Sequence, residues 1–128
     1  MANRARPLSP HLQVYRWRAN MLVSILHRAT GIGLSIAGVG ILLWWLLAAA
    51  TGEEAYGTFL EAARHPLGLL VLIGLTAVFW QHFFSGLRHL YMDTGAGFEP
   101  ERSRRLAALT LVGTAVATIA TWAIIFFA

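Results

Sequence analysis

Three long stretches of this chain contain no Asp, Glu, Lys or Arg: residues 29–52, 66–87 and 106–128. Each is longer than the roughly 20 apolar residues with which an α-helix crosses bilayer hydrocarbon. A chain of 128 residues with three such stretches has little length left for a separate soluble domain. The sequence therefore predicts an all-α integral membrane protein with three transmembrane helices.

Two regions follow from this pattern. Residues 1–19 contain proline and several arginines but no long apolar run, which is typical of an extended segment lying on the membrane surface or on a partner. Residues 20–128 form the predicted three-helix transmembrane anchor domain. Its spans are expected at about 21–51, 66–92 and 104–128.

The basic residues indicate how the chain is oriented. All ten are arginine; those flanking the first and third spans on their N-terminal sides are Arg4, Arg6, Arg16, Arg18, Arg102, Arg104 and Arg105. The loop between spans one and two has only Arg64 beside three glutamates. By the positive-inside rule the N-terminus and second loop are cytoplasmic and the C-terminus is outside. Membrane lipid and topology explain the net charge of +4, so no nucleic-acid partner is predicted.

The second span carries an ionisable side chain, His82, at depth. At a rise of ~1.5 Å per residue it lies about 9 Å deeper than Arg88. Ionisable groups inside a membrane are costly and usually functional. A neutral imidazole is a good axial ligand for haem iron, and Gly86, one turn away, leaves room for a flat macrocycle. A histidine hydrogen-bonded to a neighbouring helix fits the same position, and the residues alone leave both readings open.

Two further features bear on a haem site. His89 at i+7 returns to the face of His82 nearer the cytoplasm, where His89 and Arg88 could meet a haem propionate. His82 is the only histidine at depth in a span, so a bis-histidine haem would take its second ligand from another chain. The chain has no cysteine and supplies no thiolate ligand for an iron-sulfur cluster.

A second cluster lies at the cytoplasmic end of the first span. Ser24, His27 and Arg28 are spaced i, i+3 and i+4 and share one helix face. A hydroxyl donor and a fixed cation at the membrane interface suit a quinone, because Ser24 can bond a carbonyl and Arg28 can stabilise developing negative charge. An arginine that only anchors the helix and an ordinary packing serine explain the same pattern.

Three sequence stretches are similar to one known family. They are RPLSPHLQVY at residues 6–15, SILHRATG at residues 24–31 and HFFSGLRHLYMD at residues 82–93. Their order and spacing in a three-span chain resemble the large cytochrome b anchor subunit of succinate dehydrogenase. The resemblance covers essentially the whole length, although the third span matches only as an apolar helix.

This resemblance implies a complex II in which a flavoprotein carrying FAD oxidises succinate and an iron-sulfur subunit carries electrons to the membrane. This chain and a second small membrane anchor subunit would then share haem b and help form the site that reduces ubiquinone. The residues that match the family are His82 as axial ligand of the haem iron, Ser24 and Arg28 as quinone residues, and His27, Arg88 and His89 as propionate contacts. No catalytic residue is assigned, and the enzymatic role is that of a subunit.

The expected location is the bacterial inner membrane, with the mitochondrial inner membrane as the alternative. One rival interpretation is a small transporter, which needs more polar residues at the midplane and often an inverted repeat. The other is a haem-free structural anchor of a respiratory complex, which explains the topology and leaves His82 without a role.

Overall fold

The computed structural model describes residue 11 and residues 14–127, so most of the predicted 1–19 segment and Ala128 lie outside the described residues. The helices are α1 (Ala19–Thr51), α2 (Glu53–Arg64), α3 (Pro66–Asp93) and α4 (Pro100–Phe127). Helices α1, α3 and α4 are each long and apolar enough to cross a membrane, and the described residues contain no strand. The predicted all-α, three-span architecture is confirmed, while the side that each terminus faces stays a prediction.

Helix α1 is continuous but contains one π-helical turn over Leu34–Gly38. Such a turn inserts one residue into the helix and rotates the side chains that follow it by about 100° relative to those before it. It separates the half of α1 that carries His27 from the half that carries Trp44 and Trp45. No feature of the apolar pattern predicts this turn.

Helix α2 occupies the segment that the sequence marked only as a connection between two spans. The chain reverses at Gly52, whose φ of +133° is a conformation that suits glycine. Glu53 and Glu54 follow in the first turn of α2, where negative charge stabilises a helix N-terminus. The ring of Phe59 packs edge to face on Trp44 with centroids 5.1 Å apart, so α2 folds back onto the end of α1.

The packing has the polarity expected of a protein whose solvent is lipid. Large apolar side chains point outward, including Ile36 at 73%, Leu47 at 65% and Ile119 at 69% exposure. Several of the buried side chains are polar instead: Thr30, Gln81, Ser85, Arg88, Ser103 and Thr110. Lipid hydrocarbon solvates an apolar side chain as well as a neighbouring helix does, so burial of apolar surface does not drive helix association. Helix contacts in membranes therefore depend on small residues and hydrogen bonds.

Helices α3 and α4 are joined by three side-chain hydrogen bonds. Trp80 Nε1 donates to Thr121 Oγ1 at 3.1 Å. Thr114 Oγ1 lies 3.0 Å from Gln81 Oε1 and 2.8 Å from the Thr110 carbonyl oxygen, so its proton is shared between the two acceptors. Nearer the α3–α4 loop, Arg88 Nη2 donates to Ser103 Oγ at 3.0 Å. These contacts fix which face of α3 is turned to α4 and leave a different face for α1.

We expect Thr114→Val to destabilise the α3–α4 contact by roughly 0.6 to 1.7 kcal/mol, the range of interhelical hydrogen bonds in membranes. Valine keeps the shape of threonine but leaves the buried Gln81 amide without this partner. The thermal midpoint of the detergent-purified protein measures the effect. Thr118→Val is the matched control, because Thr118 Oγ1 donates only to a carbonyl of its own helix. Equal midpoints for the two variants would contradict the assigned contact.

Candidate functional site

His82 lies on the face of α3 that packs against α1. Its Nδ1 is 3.1 Å from the His27 carbonyl oxygen and 3.3 Å from Thr30 Oγ1. A carbonyl oxygen can only accept a hydrogen bond, so Nδ1 carries the proton, and in the neutral ring Nε2 then keeps its lone pair. Metal-binding histidines have this arrangement, and a histidine that only bonds a neighbouring helix through Nδ1 shares it.

The His82 ring reaches α1 because position 31 has no side chain. A Cβ added at Gly31 would lie 3.0 Å from His82 Cε1 and 3.5 Å from Nδ1. Gly31 is the last residue of the stretch SILHRATG, and the sequence assigned it no role of its own. In the structure this glycine makes room for the His82 imidazole, which lies against the α1 backbone and is held there by the hydrogen bonds of its Nδ1.

Three imidazoles form a stack at the α1–α3 contact. The ring of His27 lies 4.2 Å from that of His82 with the planes 7° apart, and 4.7 Å from that of His89 with the planes 30° apart. His89 Nδ1 lies 2.7 Å from the Ser85 carbonyl oxygen, one turn back on the same helix. His27 Nδ1 is buried without a hydrogen-bond partner among the described residues. The structure thus brings together the three histidines that the sequence singled out for the haem site, His82 as the ligand and His27 and His89 as propionate contacts.

Gly86 faces this histidine stack. A Cβ at Gly86 would lie 3.9 Å from His27 Cε1, which is ordinary contact. The edge of the His27 ring therefore borders the space beside Gly86 in which the sequence predicts room for a macrocycle.

Ser24 and Arg28 occupy the turn of α1 that also carries His27. The side chain of Ser24 is half-buried and that of Arg28 is exposed. Neither forms a side-chain hydrogen bond or ion pair within the part of the chain that the structure describes. A hydroxyl and a guanidinium are therefore available at this end of α1 for a ligand or a neighbouring subunit.

Arg88 takes a different direction from the histidines. It is 8% exposed, it donates to Ser103 on α4, and its Nε has no partner among the described residues. The structure does not bring Arg88 into the histidine stack. Ser103 and Thr30 are the contacts that sequence reasoning missed, because hydroxyl residues are common in transmembrane helices and neither has a distinguishing local pattern.

The comparisons with known proteins agree on one family. The family described as succinate dehydrogenase/fumarate reductase transmembrane subunit matches residues 2–121. The chain belongs to this family. It is therefore a complex II membrane anchor and a multi-pass protein of the inner membrane, and the family resemblance predicted from its sequence is confirmed.

Named relatives come from bacteria and from mitochondria. The succinate dehydrogenase cytochrome b556 subunit of Paracoccus denitrificans is 40% identical over 122 residues, covering 95% of this anchor and 92% of the relative. The cytochrome b556 subunit of Rickettsia conorii is 32% identical over 117 residues, covering 91% and 90%. The mitochondrial cytochrome b560 subunit of Bos taurus is 33% identical over 116 residues, covering 89% of the anchor and 68% of the relative.

Proposed function

We propose that this anchor binds haem b through His82 and helps form the quinone-reduction site of a succinate dehydrogenase. The observation that carries the haem proposal is the His82 ring, whose Nδ1 faces the His27 carbonyl at 3.1 Å and whose Nε2 is thereby free for iron. Bound haem b supplies a one-electron redox centre, with a potential tuned by its axial ligands and their hydrogen bonds. The cytochrome b names of the relatives support the same cofactor.

The haem is proposed to be shared with a second, small membrane anchor subunit. His27 and His89 stack in one group with His82 and are proposed below as propionate contacts, so His82 is the one axial ligand proposed from this chain. One axial ligand from this chain and one from the second anchor would complete the iron coordination, which makes the pair an obligate unit.

His27 and His89 are proposed as propionate contacts. Both rings stack in one group with His82, and the buried His27 Nδ1 needs a polar partner that the described residues do not supply. A propionate oxygen would accept from that nitrogen when it carries a proton. Arg88 is less well placed for the same role, because it faces α4, but its unpartnered Nε leaves a donor for an anionic group.

Ser24 and Arg28 are proposed to act on quinone. The Ser24 hydroxyl would donate a hydrogen bond to a quinone carbonyl, and the exposed Arg28 cation would stabilise negative charge that develops on reduction. The electrons would come from succinate through the FAD of a flavoprotein subunit and the clusters of an iron-sulfur subunit. We assign ubiquinone as the acceptor on the family resemblance.

The proposed orientation places this site at the cytoplasmic surface. The arginines that flank spans one and three favour a cytoplasmic N-terminus by the positive-inside rule, and Ser24 and Arg28 lie near that end of α1. Quinone bound there would be within reach of an iron-sulfur subunit docked on the same side of the membrane.

Substitutions at the quinone residues test the assignment. Arg28→Leu should lower the rate of succinate-dependent ubiquinone reduction about tenfold or more, because a fixed charge facing developing negative charge is lost. Ser24→Ala should lower it roughly fivefold, the value of one hydrogen bond. Succinate oxidation with an artificial dye bypasses the quinone site and should be unchanged.

The matched control for Ser24→Ala is Ser35→Ala, because the exposed Ser35 hydroxyl donates only to the Gly31 carbonyl of its own helix. If dye reduction and quinone reduction fall together in the Ser24 and Arg28 variants, these residues serve assembly of the complex and the quinone assignment is wrong.

The rival function is a haem-free structural anchor. It accounts for the three spans, the arginine pattern and a His82 that only bonds α3 to α1. It gives no role to the second ring nitrogen of His82 or to the buried His27 Nδ1, which has no partner among the described residues. The two functions differ in one observable, a low-spin b-type band in the dithionite-reduced minus oxidised spectrum of the purified complex.

A further inference from the structure

We infer that Thr30 is a positioning residue for the haem ligand. Its hydroxyl oxygen shares the Nδ1 proton of His82 with the His27 carbonyl, and so fixes the orientation of the imidazole and tunes its strength as a ligand. The inference rests on the proposed function of His82 and goes beyond it by naming the side chain that controls the ligand.

The direction of each hydrogen bond follows from the distances around the Thr30 hydroxyl. Thr30 is 7% exposed, and its Oγ1 lies 2.6 Å from the Leu26 carbonyl oxygen and 3.1 Å from the His27 carbonyl oxygen. Thr30 Oγ1 therefore donates its single hydroxyl proton to the Leu26 carbonyl oxygen. The lone pairs of Oγ1 remain, and the nearest donor for them is His82 Nδ1 at 3.3 Å.

The opposite tautomer of His82 does not fit this site. An unprotonated Nδ1 could accept the Thr30 proton, but its lone pair would then face the His27 carbonyl oxygen at 3.1 Å. Two acceptors at that distance repel each other. The protonated Nδ1 instead has two acceptors, the His27 carbonyl oxygen and Thr30 Oγ1. A substitution can remove the Thr30 hydroxyl, whereas the backbone carbonyl of residue 27 remains in every variant.

The consequence for iron follows from how such hydrogen bonds act on a ligand. An imidazole that donates its second N–H to an acceptor is a more basic ligand with a fixed ring orientation. A more basic ligand stabilises the ferric state, which lowers the reduction potential of the haem. Removing the Thr30 oxygen should weaken this effect without removing the ligand, since the His27 carbonyl remains.

The test uses Thr30→Val in the complete complex. Valine keeps the volume and β-branching of threonine and lacks only the hydroxyl. We expect haem to be retained, its midpoint potential to shift in the positive direction, and the low-temperature electron paramagnetic resonance signal of the ferric haem to change. Thr30→Ser restores the hydroxyl and should return both readouts toward those of the unmodified complex.

Thr110→Val is the control for losing a buried threonine hydroxyl. Thr110 is 4% exposed, and its Oγ1 donates only to the Leu106 carbonyl of its own helix. This variant should leave the potential and the resonance signal unchanged. A shift as large as that of Thr30→Val would show that general loosening of the bundle causes the effect.

The remaining outcomes separate this inference from the haem assignment itself. The positioning role is overturned if Thr30→Val has the potential and signal of the unmodified complex, or if Thr30→Ser loses haem together with Thr30→Val. Loss of haem in Thr30→Val alone, with recovery in Thr30→Ser, supports it. If the His82→Leu complex keeps its haem, the axial assignment of His82 is wrong. If His82→Leu loses haem but Thr30→Val changes neither the midpoint potential nor the resonance signal, only the role of Thr30 is wrong.

Discussion

Replacing His82 by leucine is expected to remove the haem from the assembled complex. Leucine is apolar and close in volume to histidine, so α3 should still insert and pack. It offers no nitrogen for iron, and an axial position left empty weakens the hold on the whole macrocycle. The dithionite-reduced minus oxidised spectrum of the complex, purified through a tag on this chain in mild detergent, should lose its low-spin b-type band.

His89→Leu is the matched control for this prediction. It makes the same change in the same histidine stack, but at a residue proposed to contact a propionate rather than iron. Its spectrum should keep a low-spin band, with reduced haem content at most. An unaltered band in His82→Leu would reject the axial assignment, and a complex that lacks the band before any substitution would favour the haem-free anchor.

The spans and the histidine face were readable from the sequence for simple physical reasons. A helix in hydrocarbon excludes charge over its whole crossing, so three charge-free stretches are sufficient to place α1, α3 and α4. Residues seven apart on a helix return to nearly the same direction. That periodicity already puts His82 and His89 on one face of α3, as the structure has them.

The direction of Arg88 could also have been obtained from helix geometry. At 100° per residue, Arg88 points about 120° away from His82, toward the face that carries Gln81 and Ser85. Which helix covers that face depends on tertiary packing. The hydroxyl residues of α4 that contact α3, such as Ser103 and Thr114, have no distinctive sequence pattern. The bond from Arg88 to Ser103 was therefore beyond sequence reasoning.

The contact between α1 and α3 was not predictable in detail. The bond from His82 to the His27 carbonyl depends on the vertical register of two helices, and a backbone acceptor is present at every residue of the chain. The π turn at Leu34–Gly38 and the short helix Glu53–Arg64 were missed for a related reason. Both are local responses to packing that leave the apolar pattern unchanged.

The close approach of His82 to α1 gives a second large expected effect, at a residue that cannot bind iron. A Cβ at Gly31 would already lie 3.0 Å from His82 Cε1, so the ring would have to move by a few tenths of an ångström. Gly31→Ala should reduce haem content partly. Gly31→Val, whose branched side chain occupies the place of the ring, should abolish the low-spin band although His82 is present.

Gly40→Val tests whether a valine in place of any glycine of α1 has this effect. A Cβ at Gly40 meets no atom within 4 Å, and the change in helix propensity is the same. Haem content and spectrum should match those of the unmodified complex. If Gly31→Val also keeps a full low-spin band, the His82 ring does not lie against the α1 backbone in the assembled complex. Its orientation would then have to come from the second anchor subunit instead of Gly31 and Thr30.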